Sequence, residues 1–185
     1  MKNVLMVVSG PSGVGKGTLV KRLCKERTDV IESVSCTTRE PRNGEQHGRE
    51  YFFISDEEFM ARIEAGDFLE YDGHFKGFYG TPKAFVEERL KEKSVVLEID
   101  VNGGLKVRQS RPDCVLVMIV PPSKEALRER LQGRKSETQE QIEDRLARLD
   151  FELAQKDKYD YVIVNDDLET AYKELNAVLD QEMKK

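Results

Sequence analysis

The sequence predicts an α/β fold with a largely parallel sheet that is interrupted by two insertions. Short apolar runs rich in β-branched residues recur along the chain, as strands do when both of their faces are buried. Segments with helical spacing of apolar residues lie between these runs, and such alternation is typical of parallel sheets with right-handed crossovers. A glycine-rich loop also follows the first run directly, at the end of a strand where folds of this class bind ligands.

Four apolar runs account for the strands of the predicted core. They cover residues 4–8, 94–99, 115–120 and 161–164. Helices are predicted where apolar side chains recur every three or four residues. The positions concerned are Leu19, Val20 and Leu23; Leu127 and Leu131; Ile142, Leu146, Leu149 and Leu153; and Leu168, Ala171, Tyr172, Leu175, Val178 and Leu179.

Residues 33–82 break the alternation of strands and helices. They contain short strand-like runs at 34–38 and 51–55, then a helical stretch at 57–64. A run rich in glycine and aromatic residues follows. We interpret this segment as a small inserted β-rich subdomain.

A second insertion is predicted at residues 123–153, where two charged helices are joined by a polar link that suits a hinged lid. The core then comprises residues 1–32, 83–122 and 154–185. A chain of 185 residues is long enough for one well-buried core and too short for several large ones, so we expect residues 1–185 to form a single domain.

Composition limits the possible functions. The 30 basic and 35 acidic residues leave a net charge of −5, which argues against a broad surface for nucleic acid or membrane. Cys24, Cys36 and Cys114 are odd in number and lack paired spacing, so the sequence suggests neither a disulfide framework nor a zinc cluster. The first apolar run leads straight into the glycine loop and leaves no room for a signal segment. We therefore expect a cytoplasmic protein.

The glycine loop has the spacing of a phosphate-binding loop. Gly10 is followed five residues later by the pair Gly15-Lys16, which opens the first predicted helix. Glycines let main-chain N–H groups converge on phosphate oxygens, and the lysine adds a mobile positive charge. This predicts a P-loop NTPase-type core that binds a nucleoside triphosphate, the alternative being a glycine turn that binds nothing. The residues of the loop that are predicted to bind the triphosphate are Gly10, Pro11, Ser12, Gly13, Val14, Gly15, Lys16, Gly17 and Thr18.

One position departs from the usual pattern. Gly17 stands where a serine or threonine normally directs its hydroxyl towards Mg²⁺, and Thr18 follows one residue later. We expect Mg²⁺ to accompany ATP, with its coordination shell completed by water and phosphate or by Thr18.

A second anion site is predicted where Arg39 and Arg42 end a strand-like run, with Tyr51 nearby in the sequence. Guanidinium groups bind phosphate oxygens in pairs of parallel hydrogen bonds. The alternative is an exposed loop with ordinary surface arginines.

The order and spacing of these motifs resemble the guanylate kinase family along nearly the whole chain. The matching stretches are residues 9–18, 33–42, 48–53, 68–71, 78–82, 97–101, 130–134 and 162–166. The resemblance implies a P-loop core, an inserted subdomain that binds the nucleoside monophosphate, and a mobile helical lid. It also implies transfer of the γ-phosphoryl group of ATP to GMP or its deoxy form, in purine nucleotide metabolism.

The resemblance assigns Glu70 to the guanine base, with Ser35 and Thr81 as hydroxyl partners. This is chemically reasonable, because guanine offers two adjacent N–H donors beside the O6 acceptor whereas adenine offers the opposite pattern. The alternative for Glu70 is a solvated charge at a strand end. The residues assigned to the GMP phosphate are Arg39, Arg42, Tyr51 and Tyr79.

Glu98 and Asp100 are two residues apart at the end of a predicted strand, so we expect both carboxylates on one face near its carboxyl end. The resemblance places them with the GMP site, near the base, the metal or Lys16, and favours Asp100 as the more functional of the two. A buried ion pair between Glu98 and Lys16 is the structural alternative.

The resemblance also assigns catalytic roles to Lys16 and to three lid arginines, Arg130, Arg134 and Arg145, which would close on the transferring phosphoryl group. For each arginine the alternative is a salt-bridged helix surface. Asn165 resembles the family position that contacts the adenine of ATP.

Two competing functions follow from the same residues. A kinase acting on AMP would share the glycine loop, but Glu70 does not suit adenine. A scaffold domain of the same fold, which would recruit protein partners without activity, is disfavoured by the intact loop and Lys16.

Overall fold

The computed structural model describes residues 1–74, 77–133 and 138–185. The elements alternate as the sequence predicts, and the structure adds an edge strand, a hairpin and two helices. In chain order they are β1 (Leu5–Ser9), α1 (Lys16–Glu26), β2 (Val30–Glu32), β3 (Ser35–Thr37), β4 (Tyr51–Phe53), α2 (Asp56–Glu64), β5 (Phe68–His74), β6 (Gly77–Pro82), α3 (Lys83–Leu90), β7 (Ser94–Glu98), α4 (Val101–Ser110), β8 (Val115–Val120), α5 (Lys124–Gly133), α6 (Gln139–Leu153), a short 3₁₀ helix (Lys156–Lys158), β9 (Tyr161–Val164) and α7 (Leu168–Lys184).

The central sheet has five parallel strands in the order β2-β7-β1-β8-β9. Side chains of β1 alternate between the two apolar layers that cover its faces: Met6 and Val8 lie in the layer under α1 and α7, and Leu5 and Val7 in the layer with α4. Burial on both faces explains why these strands read as continuous apolar runs in the sequence. The four strands predicted for the core are confirmed to within one residue at each end.

A second sheet of four strands, in the order β4-β3-β6-β5, lies within residues 33–82. Phe59 of α2 stacks on Phe68 and Phe78, with ring centroids 4.6 and 5.4 Å apart, and forms the apolar centre of this sheet. A Cβ on Gly80 would come within 2.9 Å of Phe68, so glycine there lets the strand pass close beneath the rings. This packing turns the glycine- and aromatic-rich run into the β5–β6 hairpin.

Helices α5 and α6 pack on each other through a separate apolar cluster. It consists of Leu127, Leu131, Ile142, Leu146 and Leu149, with Leu153 at its edge. The start of α6 is fixed by a capping box in which Thr138 and Gln141 exchange side-chain hydrogen bonds with each other's main-chain N–H groups. Within the described part of the chain, no helix is both long and apolar enough to cross a bilayer.

Candidate active site

The glycine loop joins β1 to α1 and requires glycine for two reasons. Gly10 has φ 143°, and a Cβ there would lie 2.1 Å from the carbonyl oxygen of Ile119 on the neighbouring strand β8. Gly15 has φ 102° and directly precedes α1, so the chain can turn sharply into the helix. The loop is thereby held against the carboxyl end of the sheet, with the N-terminus of α1 open towards it.

Two side chains hold the loop in place. The ammonium group of Lys16 donates to the carbonyl oxygens of Gly10 and Pro11, at 2.7 and 3.1 Å. Asn165, buried after β9, donates from its amide nitrogen to the carbonyl of Val14 at 2.8 Å. The amide nitrogen of Asn165 is thus used to fix the loop, a role that the sequence had not suggested.

A cavity of about 330 Å³ lies at the loop and the first turn of α1. It is lined by Ser12, Gly13, Gly15, Lys16, Gly17, Thr18, Lys21 and Glu98. A Cβ on Gly17 would come within 3.1 Å of a carboxylate oxygen of Glu98. Glycine at position 17 therefore lacks the usual hydroxyl but leaves room for the carboxylate of Glu98 beside the helix.

The oxygens at this cavity suit a hard cation. Thr18 and Glu98 both line it, and hydroxyl and carboxylate oxygens are the protein ligands that Mg²⁺ accepts alongside phosphate and water. Among the described residues there is no group of three or more His, Cys, Asp or Glu side chains placed to hold a metal alone. The residues present therefore fit a magnesium ion carried mainly by nucleotide phosphates.

A smaller cavity, of about 80 Å³, adjoins the first at Glu98 and opens towards the second sheet. It is lined by Glu32, Ser33, Ser35, Glu50, Tyr51, Thr81, Leu97, Glu98 and Ile99. The structure thus brings together Ser35, Tyr51 and Thr81, which the sequence had assigned to one nucleotide. Glu98 lines both cavities, and the alternative of an ion pair between Glu98 and Lys16 stays a prediction.

Glu70 is buried beside this cavity. It accepts a hydrogen bond of 2.6 Å from the hydroxyl of Thr81. Burial raises the pKa of Glu70, and the nearby Asp100 raises it further, while the Thr81 bond acts in the opposite direction. The alternative of a solvated charge at a strand end is therefore wrong, since only 9% of Glu70 is exposed.

Asp100 does not lie on the strand, contrary to the prediction. Strand β7 ends at Glu98, and Asp100 is the N-cap of α4, where one carboxylate oxygen accepts the main-chain N–H of Gly103 at 2.7 Å. The prediction of two acids on one strand face is wrong because Asp-Val-Asn-Gly is a helix start. The other carboxylate oxygen of Asp100 takes no hydrogen bond among the described residues.

Arg39, which follows β3, is surrounded by polar and aromatic groups. Its Nε donates to the hydroxyl of Tyr79 at 3.2 Å, and its guanidinium carbon lies 5.4 Å from the ring centre of Tyr51. Arg42 is exposed, and its guanidinium forms no hydrogen bond or ion pair with the described residues. Arg39 and Arg42 therefore differ: the side chain of Arg39 is held by its neighbours, whereas the guanidinium of Arg42 is exposed to solvent.

Helices α5 and α6, which the sequence predicts to be a lid, contact the glycine loop directly. Arg145 of α6 hydrogen-bonds the hydroxyl of Ser12, and Leu131 of α5 packs where a Cβ on Gly13 would stand. Arg130 reaches the carbonyl of Asp166 at 3.4 Å. The predicted site residue Arg134 lies outside the described residues.

Three further charged residues at the site were not among those predicted from the sequence. Glu45 pairs with Arg39, and Lys21 lines the larger cavity. Glu152 of α6 is largely buried, which raises its pKa, and it interacts electrostatically with Lys16. The regular three-residue spacing of Arg39, Arg42 and Glu45 could have indicated Glu45. Glu152 could have been indicated by its position two helical turns after Arg145, on the same face of α6.

Comparison with known proteins gives one consistent family. A family model described as guanylate kinase matches residues 2–182. The guanylate kinase of Wolbachia sp. subsp. Brugia malayi (strain TRS) is 45% identical over 183 residues, which are 98% of this chain and 94% of that protein. The guanylate kinase of Clostridioides difficile (strain 630) is also 45% identical, over 185 residues that are 100% of this chain and 90% of that protein.

Solved structures agree with this result. The crystal structure of guanylate kinase from Anaplasma phagocytophilum superposes with a TM-score of 0.78 at 34% identity, covering 100% of this chain and 88% of that one. Shikimate kinase from Bacteroides thetaiotaomicron superposes with a TM-score of 0.54 at 16% identity, covering 96% of this chain and 98% of that one. At that identity the second match shows a shared fold alone.

Proposed function

This chain belongs to the guanylate kinase family, and we propose that it performs the family's reaction, ATP + GMP to ADP + GDP, with the residues described above. GMP and its deoxy form are both proposed as acceptors. The proposal includes Mg²⁺ as the companion of ATP.

One observation carries the proposal: the two cavities meet at Glu98. The larger is lined by the glycine loop, and the smaller is lined by Thr81, whose hydroxyl donates to Glu70. Two nucleotides bound in them would present their phosphates to each other at the edge of the central sheet. Such juxtaposition is the main requirement for phosphoryl transfer, which needs positioning and charge neutralisation more than covalent chemistry by the protein.

The residues divide into a donor set and an acceptor set. Main-chain N–H groups of the loop and the ammonium of Lys16 hold the ATP phosphates. Thr18 and Glu98 would contact a Mg²⁺ ion held mainly by the nucleotide phosphates, and that ion would neutralise part of the phosphate charge. Arg145 lies over the loop and stabilises negative charge on the moving phosphoryl group. We assign Arg130 and Arg134 to the same task and Asn165 to the adenine side of the ATP site.

The acceptor set is proposed to lie in the second sheet. Glu70 accepts hydrogen bonds from N1–H and the 2-amino group of guanine, and Ser35 and Thr81 complete the base site. Adenine would leave the buried carboxylate unpaired, a discrimination of about 10⁴-fold. The second carboxylate oxygen of Asp100, which the helix cap does not use, is proposed to accept a further hydrogen bond from the base. The acceptor phosphate already carries a nucleophilic oxygen, so no general base is required.

Three parts of the chain have separate roles in this proposal. Residues 33–82 bind GMP, residues 123–153 act as a lid that excludes water, and the rest is the core of a single domain. No nucleic acid or membrane partner is proposed. A cytoplasmic location is proposed, supported by the free thiols of Cys24, Cys36 and Cys114.

The test is a panel of nucleoside monophosphates assayed with Mg-ATP by release of ADP. We expect turnover with GMP and dGMP, and with AMP at about 10⁴-fold lower kcat/KM. The control is Lys16→Ala, which we expect to lose most of the activity because the donor phosphates lose their cation. AMP turnover equal to that of GMP would contradict the base assignment, and wild-type turnover no greater than that of Lys16→Ala would support a scaffold.

A further inference from the structure

Glu45 holds the arginine that we assign to the acceptor phosphate. Its carboxylate accepts hydrogen bonds from two nitrogens of Arg39, Nη1 and Nη2, at 2.9 and 3.0 Å. The pair is well shielded, with 10% of the Arg39 side chain and 18% of the Glu45 side chain exposed. Bidentate pairs of this kind fix the plane of the guanidinium as well as its position.

Glu45 also fixes the main chain at Arg42. The same carboxylate accepts the main-chain N–H of Arg42 at 2.7 Å, and the N–H of Glu45 donates to the carbonyl of Arg42 at 3.0 Å. These reciprocal bonds close a tight turn between the two residues. Since Arg39 and the amide of Arg42 are both its donors, the carboxylate of Glu45 accepts three N–H bonds in all.

The remaining donors of Arg39 can be counted. A guanidinium has five N–H bonds. Nε donates to Tyr79 and Nη1 also donates to the carbonyl of Glu40, so with the Glu45 pair four N–H groups have partners among the described residues and one, on Nη2, has none there. Arg39 thus offers a phosphate a single hydrogen bond in a fixed position, whereas the guanidinium of Arg42 can donate two parallel hydrogen bonds.

We propose that Glu45 is a positioning residue for the acceptor phosphate, which orients Arg39 through the ion pair and places Arg42 through the turn, and which stays on Arg39 when the phosphate binds. This rests on the proposed function, in which these arginines hold the phosphate of GMP. The alternative role, a carboxylate that occupies the phosphate's place and must be displaced, is disfavoured because displacement would break three N–H bonds at once.

The experiment compares Glu45→Gln with wild type by calorimetric titration of GMP and of guanosine, which has the same base and ribose but no phosphate. A glutamine cannot accept from both nitrogens, and its amide would face a guanidinium donor. We expect the Kd of GMP to rise about tenfold and that of guanosine to stay within about twofold. Glu45→Asp, which keeps the charge but is one methylene shorter, should fall between the two.

Two controls separate positioning from general effects. Glu64→Gln removes an exposed charge of the same segment that has no hydrogen bond or ion pair among the described residues, and it should leave both affinities unchanged. In an Arg39→Ala background, Glu45→Gln should weaken GMP binding by clearly less than in the wild type, because only its effect through Arg42 remains. In turnover assays with Mg-ATP, the KM for GMP should rise more than kcat falls.

The possible outcomes are distinct. Unchanged or tighter GMP binding by Glu45→Gln would overturn the positioning role, as would an equal loss of guanosine binding, which would indicate a merely structural residue. If the wild type itself bound GMP no more tightly than guanosine, the phosphate site and with it the proposed function would fall. Wild-type preference for GMP with an unaffected Glu45→Gln variant would remove only the role of Glu45.

Discussion

At the scale of the residue, Glu70 combines an unfavourable environment with a specific task. The side chain is buried next to Asp100, and both circumstances raise the pKa of Glu70. The hydroxyl of Thr81 compensates for only part of the lost hydration. Guanine would supply two further N–H donors to the ionised form. We therefore propose that this buried carboxylate lowers the free energy of unfolding of the ligand-free protein and that its function is to recognise the base.

This predicts a pH dependence of GMP binding. The ionised form of Glu70 is the one that accepts both guanine donors, so the KM for GMP should increase as the pH falls through the raised pKa of Glu70, above the ordinary value of 4.5. The measurement is the KM for GMP at saturating Mg-ATP over a pH series, for wild type and Glu70→Gln. The phosphate of GMP titrates near pH 6 in both proteins, so the difference between the two profiles isolates Glu70.

The linkage of stability to pH has the opposite sign. A carboxyl group whose pKa is higher in the folded state binds its proton more tightly there, so the ligand-free protein loses stability as the pH rises from 4.5 through the raised value. Glu70→Gln should therefore increase the melting temperature at neutral pH while weakening GMP binding. A KM profile for wild type that parallels that of Glu70→Gln would contradict the assignment of Glu70.

At the scale of the element, Asp100 caps the start of α4, and we propose that it also binds GMP. Asp100 caps the helix through one carboxylate oxygen and leaves the other for the site. Asparagine is as good an N-cap as aspartate, whereas alanine provides no cap. Substitutions of Asp100 can therefore distinguish the effect of its negative charge from the effect of capping the helix.

We predict that Asp100→Asn keeps the stability of wild type but lowers kcat/KM for GMP about tenfold, the value of one charge-assisted hydrogen bond. Asp100→Ala should also lower the free energy of unfolding by about 1 kcal/mol, because the N–H of Gly103 loses its partner. Urea unfolding and steady-state assays of both variants provide the measurement. Full activity in Asp100→Asn would mean that the residue serves the helix alone.

The elements that the sequence predicted share a physical property. Core strands such as β8 are buried on both faces and are therefore apolar throughout, a pattern visible without coordinates. Strand β2 was missed because it is an edge strand of three residues. The β5–β6 hairpin was missed because its residues are selected by contacts with α2, as the close approach of Gly80 to Phe68 shows. Local pattern cannot report such long-range contacts.

The candidate site divides in the same way. The glycine loop is a contiguous motif whose spacing carries its chemistry, so it could be recognised directly. The hydrogen bond from Asn165 to the loop joins residues 151 positions apart in the sequence, and no local pattern indicates it. The two-residue spacing between Glu98 and Asp100 predicts one face of a strand, whereas Asp100 and the residues that follow it start a helix.

At the scale of the whole molecule, the chain brings two sheets and a helical pair to one edge. The central sheet carries the glycine loop, the second sheet carries Glu70, and α6 lies against the loop through Arg145 and Ser12. The second sheet is tied to the core through α4, where Lys106 donates to the carbonyl of Tyr71 at 2.8 Å. Glu98 lies where the two cavities meet. In the proposed function the donor and acceptor nucleotides bind to different parts of the fold, so we predict that binding both nucleotides draws these parts together.

The most direct measurement is a crystal structure with a bisubstrate analogue in which adenosine and guanosine are joined by a chain of phosphates. We predict that the guanine contacts Glu70, that phosphates lie against the glycine loop and Lys16, and that the phosphate chain passes Glu98 between the two cavities. A guanine bound away from Glu70, or a phosphate chain outside the loop, would contradict the central claim that the protein holds ATP and GMP with their phosphates facing each other.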